Sequence, residues 1–425
     1  MCPMARPDEA VPPYDVHPMM RPNESRMMHR AALMSHTPNA PTRTIQRERP
    51  IMMRFLSVLT AFLLVAAPAS LAQSTASEPV DGPAEAKATT TASGPMLYVC
   101  NQGEASISVI DMRTQTLVDT VDLTAMGFSE NAKPHHAVAE PDGSHWYATL
   151  IGENTVLKFD RNNEIVARLD FEVPGLLSLH PTQDLLVVGR SMSAVNPPKR
   201  IGMVKRSDMS LRQIDTFFPR PHALTVKGDG RHAYTASLAA NQILSIDLET
   251  EETDLVRLEG DTQTFVQFAE TPDGKTLIAG GQMTGQLLFF DISNPPSLTV
   301  TDTLEVGTQP WHPVIAPDGQ TAYVPNKASN SISVVDIPSR TVRATITGTG
   351  LAQPHGAALT PDGRYLFVSN NNRKGTYTPT GDNPKAGTVT VIDTRTNEIV
   401  KVIEVGTYPT GVGTWGGQQA VRTEG

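Results

Sequence analysis

Imidazole is the side chain best placed in this sequence to do chemistry. His135, His136, His222, His312 and His355 all stand one or two places after a proline, namely Pro134, Pro221, Pro310 or Pro354. His135, His222, Trp311 and His355 share a position six residues ahead of the first residue of a Pro-Asp-Gly-like turn, and His136 and His312 occupy the next. Imidazoles brought from separate segments to one place can bind copper or another borderline metal, or ligate a haem axially. The same placement also suits contact with an organic ligand, or packing with a ring nitrogen bonded to a backbone carbonyl. The residue types leave these readings open, so copper and haem are the candidate cofactors and no catalytic residue is assigned.

Two longer segments carry the concentrated positive charge. One, at 371–387, contains Arg373, Lys374, Tyr377 and Lys385, and the other, at 191–200, ends in Lys199 and Arg200. Long loops on a rigid scaffold commonly carry recognition. Arg373, Lys374, Tyr377 and Lys385 are therefore the loop candidates for an anion or an acidic partner. His145 and His232 share a repeat position just after a turn and are expected to be exposed strand starts. Asp111, Asp160, Asp247, Asp291, Asp336 and Asp393 occur once per repeat at strand ends, where turn capping is the expected role. Cys100 lies inside an apolar run and is expected to be a buried, inert thiol.

The elements that position these residues are repetitive. Turn signals occur at Pro141-Asp142-Gly143, Gly228-Asp229-Gly230, Pro272-Asp273-Gly274, Pro317-Asp318-Gly319 and Pro361-Asp362-Gly363, with a degenerate copy at Pro181-Thr182-Gln183-Asp184. Their spacing of about 45 residues is the period of a four-stranded propeller blade. Each is followed by a short β-rich run such as Trp146-Tyr147-Ala148, then by a second such as Ile332-Ser333-Val334-Val335-Asp336. Seven copies of the second run predict an all-β, seven-bladed β-propeller. The chain enters part-way into a repeat at Leu97 and leaves on a lone first strand near Tyr408, so the C-terminal strand should complete the N-terminal blade and leave no sheet edge unpaired. In that fold the first strand of each blade lines the central channel, which puts the histidines around one mouth.

Tyr98-Val99-Cys100-Asn101, Tyr323-Val324-Pro325-Asn326 and Phe367-Val368-Ser369-Asn370 resemble the YVTN-repeat family of β-propellers, which includes YncE-like exported proteins. More distantly, the chain is similar to the haem-binding nitrite reductase and nitrous oxide reductase propellers. The resemblance covers roughly residues 96–415 and implies the propeller fold, but it selects no single function. It implies a ligand- or partner-binding module acting through the channel mouth and long loops. The alternatives are a periplasmic metal- or haem-dependent redox protein using the histidine cluster, and a lactonase-like hydrolase, which would need acids converging on a divalent cation.

Residues 52–72 combine Arg54, an apolar stretch and small residues at Ser70 and Ala72, the pattern of a secretory signal peptide. Residues 1–51 read as a mis-called upstream extension, 73–95 as a flexible linker, 96–417 as the propeller and 418–425 as a tail. The expected location is periplasmic or secreted, with no membrane span after cleavage. Beyond residue 72 the chain carries 27 Lys and Arg against 39 Asp and Glu. That balance disfavours nucleic acid and leaves a small molecule or a protein as partner. A closed ring requires no assembly, so a monomer is expected. Phosphate loops, Cys-x-x-Cys-His haem attachment, paired-cysteine zinc motifs and nucleophile elbows are all missing from the sequence.

Overall fold

The computed structural model describes residues 94–191, 196 and 198–415. The expected upstream extension and signal peptide, the linker up to residue 93, part of the 191–200 insertion, and residues 416–425 with the tail lie outside the described residues.

Short runs of β-branched and aromatic residues punctuated by Pro, Gly, Asn and Asp dictate short antiparallel strands. The described residues form seven sheets of four strands each. Six are consecutive four-stranded meanders, and the seventh joins Pro409–Thr414 to Met96–Asn101, Ser106–Asp111 and Thr116–Asp122. In that blade Leu97 pairs with Thr414 and Val99 with Val412. The seven-bladed propeller is therefore closed by the C-terminal strand, as the repeat arithmetic requires. Numbering this blade 1, the inner strands are Pro409–Thr414, Pro134–Ala139, Pro174–Leu179, Pro221–Val226, Phe265–Glu270, Val314–Ile315 and Pro354–Leu359. Each touches the next around the ring. No helix among the described residues is long and apolar enough to cross a membrane.

Apolar side chains fill the spaces between blades. Trp146 of blade 2, fully buried, stacks on Tyr98 of blade 1 at 4.3 Å and on Phe159 at 3.9 Å between ring centroids. Buried polar groups fix the register. The Asn101 amide donates to Ser106 Oγ and Ser108 Oγ at 2.9 Å, and Asn326 repeats the arrangement with Ser331 and Ser333. This is the physical role of the asparagine in the Tyr-Val-x-Asn runs: its amide ties two strands together where a lost partner would cost a buried polar group its hydrogen bond.

The repeat acids cap turns. Asp111 accepts from the backbone N–H of Arg113 and Thr114, Asp247 from Glu249 and Thr250, and Asp336 from Ser339. Cys100 is buried, and desolvation pushes its thiol far above the ordinary range, as expected of an inert residue. The two strand-start histidines depart from expectation. His145 is half-buried, and His232 is buried with Nδ1 3.5 Å from Asp229 Oδ2. Neighbouring blades press against the turn, so a strand start here is not a free surface. His180, given no role by sequence reasoning, organises the degenerate turn: its Nδ1 accepts from the N–H of Thr182 and Gln183.

Candidate functional site at the channel mouth

Every inner strand begins with the same backbone device. The residue just before it, Lys133, Val173, Arg220, Thr264, Gln309, Gln353 or Tyr408, has φ between 47° and 60°. In blade 6 that residue precedes Pro310, which forms an isolated bridge to Asn326 ahead of the short strand. Such a conformation is uncommon for any non-glycine residue and is an outlier for the β-branched Val173 and Thr264. Its carbonyl is used each time, accepting in turn from the N–H of Ile151, Ser191, Leu238, Gln282, Lys327, Asn371 and Gln102. The ladder then carries one extra residue. Pro134 faces Leu150 while His136 faces Thr149, skipping His135, and Pro221 faces Ser237 while Ala223 faces Ala236, skipping His222. Blade 7 is bulged likewise between Pro354 and Ala357, around His355. A bulge re-aims the side chain of the extra residue, and here it turns His135, His222 and His355 out of the ladder.

The structure brings the sequence-singled residues together. His135 and His222 rings lie 5.7 Å apart between centroids, His136 and His312 6.3 Å, His312 and His355 5.1 Å, and Trp311 and His355 5.0 Å. All five histidines are buried, and Trp311 is half-buried. Gly411 is required beside them, because a Cβ there would stand 2.4 Å from the His135 carbonyl oxygen. Two histidines have tautomers set by the backbone. His222 Nδ1 donates to the Val266 carbonyl at 2.9 Å, which leaves its Nε2 as a lone pair, whereas His136 Nδ1 accepts from the Leu177 N–H, which puts the proton of its neutral ring on Nε2. Both ring nitrogens of His135, Nε2 of His312, Nδ1 of His355 and Nε1 of Trp311 are buried without a hydrogen-bond partner.

Burial holds these rings neutral. Desolvation, with a smaller contribution from His222, lowers His136 to about 3, and desolvation lowers His222 to about 4. His135, His312 and His355 are driven well down by burial first, then by neighbouring histidines and Lys327. Neutral imidazole is the form that ligates metal. Yet among the described residues no three His, Cys, Asp or Glu side chains stand so that they could hold one metal ion. The ring separations describe a chain of neighbours rather than spokes on one centre.

Lys327, which sequence reasoning passed over, belongs to this site. Its ammonium lies 3.9 Å from the Trp311 ring centroid, a cation–π contact. Burial, and secondarily Arg373, pull it down to about 8. A signal was available, since Lys327 follows Tyr323-Val324-Pro325-Asn326 at the position held by Gln102 and Asn371 after the matching runs in other blades. Of the loop candidates, Arg373 stacks on Tyr408 at 4.5 Å and reaches its hydroxyl at 3.2 Å. Lys374 and Lys385 are exposed. Tyr377 is engaged internally: its hydroxyl donates to Glu404 Oε1 at 2.8 Å, and Glu404 also accepts from Thr380 and Gly381 N–H. The loop is thus tied down by one carboxylate, which those bonds hold near a pKa of about 2. A groove of about 1050 Å³ opens at the same end of the propeller, lined by Thr262, Gln263, Thr264, Met283 and Thr284 among others.

The sequence matches no protein-family model. It also matches no curated protein. Solved structures are similar in fold. A functionally unknown protein from Desulfotomaculum acetoxidans is 14% identical with a TM-score of 0.61, over 75% of this chain and 98% of its own. Hydrazine synthase of Kuenenia stuttgartiensis is 19% identical with a TM-score of 0.55, over 66% and 89%. The dihydro-heme d1 dehydrogenase NirN, solved in complex with DHE, is 14% identical with a TM-score of 0.54, over 75% and 74%. At these identities the likeness extends to the fold alone: the chain is a seven-bladed β-propeller.

Proposed function

We propose that this chain is an exported YVTN/YncE-like propeller that works as a binding module, capturing a small ligand at the channel mouth. The observation that carries this reading is the buried cluster of His135, His312 and His355 beside Trp311 and Lys327, in which both ring nitrogens of His135, Nε2 of His312 and Nδ1 of His355 lack partners. Buried polar atoms ordinarily find partners, and a run of orphans on one surface is the mark of a site completed by something it binds. The Tyr-Val-x-Asn runs and the signal-peptide pattern at 52–72 support the family and the export.

A second reading, a metal- or haem-dependent redox protein, is favoured by the neutral state of the rings and by the free Nε2 lone pair of His222. His222 and His135, with rings 5.7 Å apart, would be the residues to hold copper or a haem iron, which would supply electron transfer, although among the described residues no third ligand stands with them. The hydrolase alternative draws no such support, because the repeat acids cap turns at the opposite end of the blades. Elemental mass spectrometry and a visible spectrum on protein purified from a periplasm, beside a His135→Ala/His355→Ala variant, divide the readings. Stoichiometric copper, iron or haem that the variant loses selects the redox protein. Colourless, metal-free protein whose ligand binding the variant abolishes selects the binding module.

A further inference from the structure

The charge around the mouth points to the class of ligand. The Lys327 ammonium lies 3.9 Å over Trp311, whose ring is 5.0 Å from His355, and Arg373 lies over Tyr408 at the entry of the next inner strand but one; beyond burial, Arg373 also pulls the lysine down. Aromatic faces do the holding: the Lys327 ammonium rests on Trp311, and Arg373 rests on Tyr408 and reaches its hydroxyl. Among the described residues no carboxylate forms an ion pair with either cation. The remaining groups that Lys327 acts on, His135, His312 and His355, are neutral, and each neutral ring has one N–H to donate. Beneath two unpaired cations lie donors, therefore, and no negative charge. A cation entering here meets an ammonium and a guanidinium, whereas an anion meets charge-assisted hydrogen bonds.

We propose that the channel mouth is a binding site for a small oxyanion, a carboxylate or phosphate group, gripped by Lys327 and Arg373 above the imidazoles. Size follows from burial. The histidines are at most 8% exposed, so only a compact group reaches them while the rest of the ligand lies over Trp311. This inference rests on the channel-mouth reading above and narrows it.

The test is calorimetric titration of the purified protein with sodium phosphate and, separately, sodium malonate at fixed ionic strength. Lys327→Gln, Lys327→Arg and Arg373→Gln are run in parallel after a circular dichroism check of folding. One saturable site for at least one probe is expected, weakened about tenfold or more by Lys327→Gln, as for loss of a charge-assisted bond, and retained by Lys327→Arg. The stronger probe tells carboxylate from phosphate. If Lys327→Gln fails to fold, the contrast between Arg373→Gln and wild type carries the test. No saturable heat with either probe, or binding unchanged by these variants, overturns the oxyanion. If copper or haemin nevertheless binds in a His135- and His355-dependent way, the mouth remains a site and only its ligand class falls. An oxyanion bound equally well by Lys327→Gln and by His135→Ala/His355→Ala lies elsewhere and removes both readings.

Discussion

Mild acid should destabilise this propeller at a pH where its carboxylates are still ionised. His136 is held at about 3 and His222 at about 4, against about 6.5 for an imidazole in an unfolded chain. Below pH 6.5 the unfolded chain takes up a proton at each site while the folded protein refuses it, so the unfolded state binds more protons and stability falls as pH falls. The contribution is complete above the unfolded value and is lost on the way down toward the folded one. At pH 5 the gap is about 1.5 pH units of uptake per ring, or about 2 kcal/mol each and about 4 kcal/mol for the pair. His135, His312 and His355 act in the same direction. Urea unfolding at pH 7.5, 6 and 5, at constant ionic strength, should show a loss of about 4 kcal/mol or more between the extremes, a large share of a domain's stability. His136→Gln/His222→Gln should flatten the dependence over that interval. A change below about 1 kcal/mol would refute the claim that the rings are buried and neutral.

Two further outcomes test the scaffold. Glu404→Gln removes the charge that gathers Thr380, Gly381 and Tyr377, so trypsin should cut after Arg373, Lys374 or Lys385 faster than in wild type while the melting temperature changes little; unchanged cleavage would mean that the loop does not depend on that carboxylate. Deleting residues 409–415 strips the inner strand from blade 1 and bares the edge of Met96–Asn101, and size-exclusion chromatography should show association or aggregation in place of the wild-type species; an unaltered elution would contradict the closure.

The architecture was legible because it is written many times. A turn signal with a β-rich run on either side, repeated at a fixed period, predicts blades, and the half-repeats at each end predict how the ring shuts. The line of Pro-His positions was legible for the same reason. The bulge was not, because an extra residue in a ladder depends on pairing with a strand some fifteen residues away and leaves no mark in composition. Without the bulge, the neighbouring His135 and His136 would be assigned to opposite faces by simple strand alternation. Lys327 was missed because one lysine after a strand reads as solvated charge. Only the contact of its ammonium with the Trp311 ring shows that it is folded back over the mouth. His232 was misjudged because its burial comes from surrounding structure in three dimensions, which a repeat read along the chain does not show.

The bulge at the start of each inner strand separates what holds the ring from what the ring displays. At the bulge positions stand Thr410, His135, Gly175, His222, Val266, Trp311 and His355, seven residues on one shared backbone device. Since the carbonyl lock and the left-handed turn are made by main chain, the displayed residue can change without disturbing either. The mouth is in effect a dial whose letters are carried by side chains, while main chain carries the ring. His135, His222, Trp311 and His355 spell the present preference, whereas Gly175 is fixed, since a Cβ there would stand 2.5 Å from the Arg190 backbone.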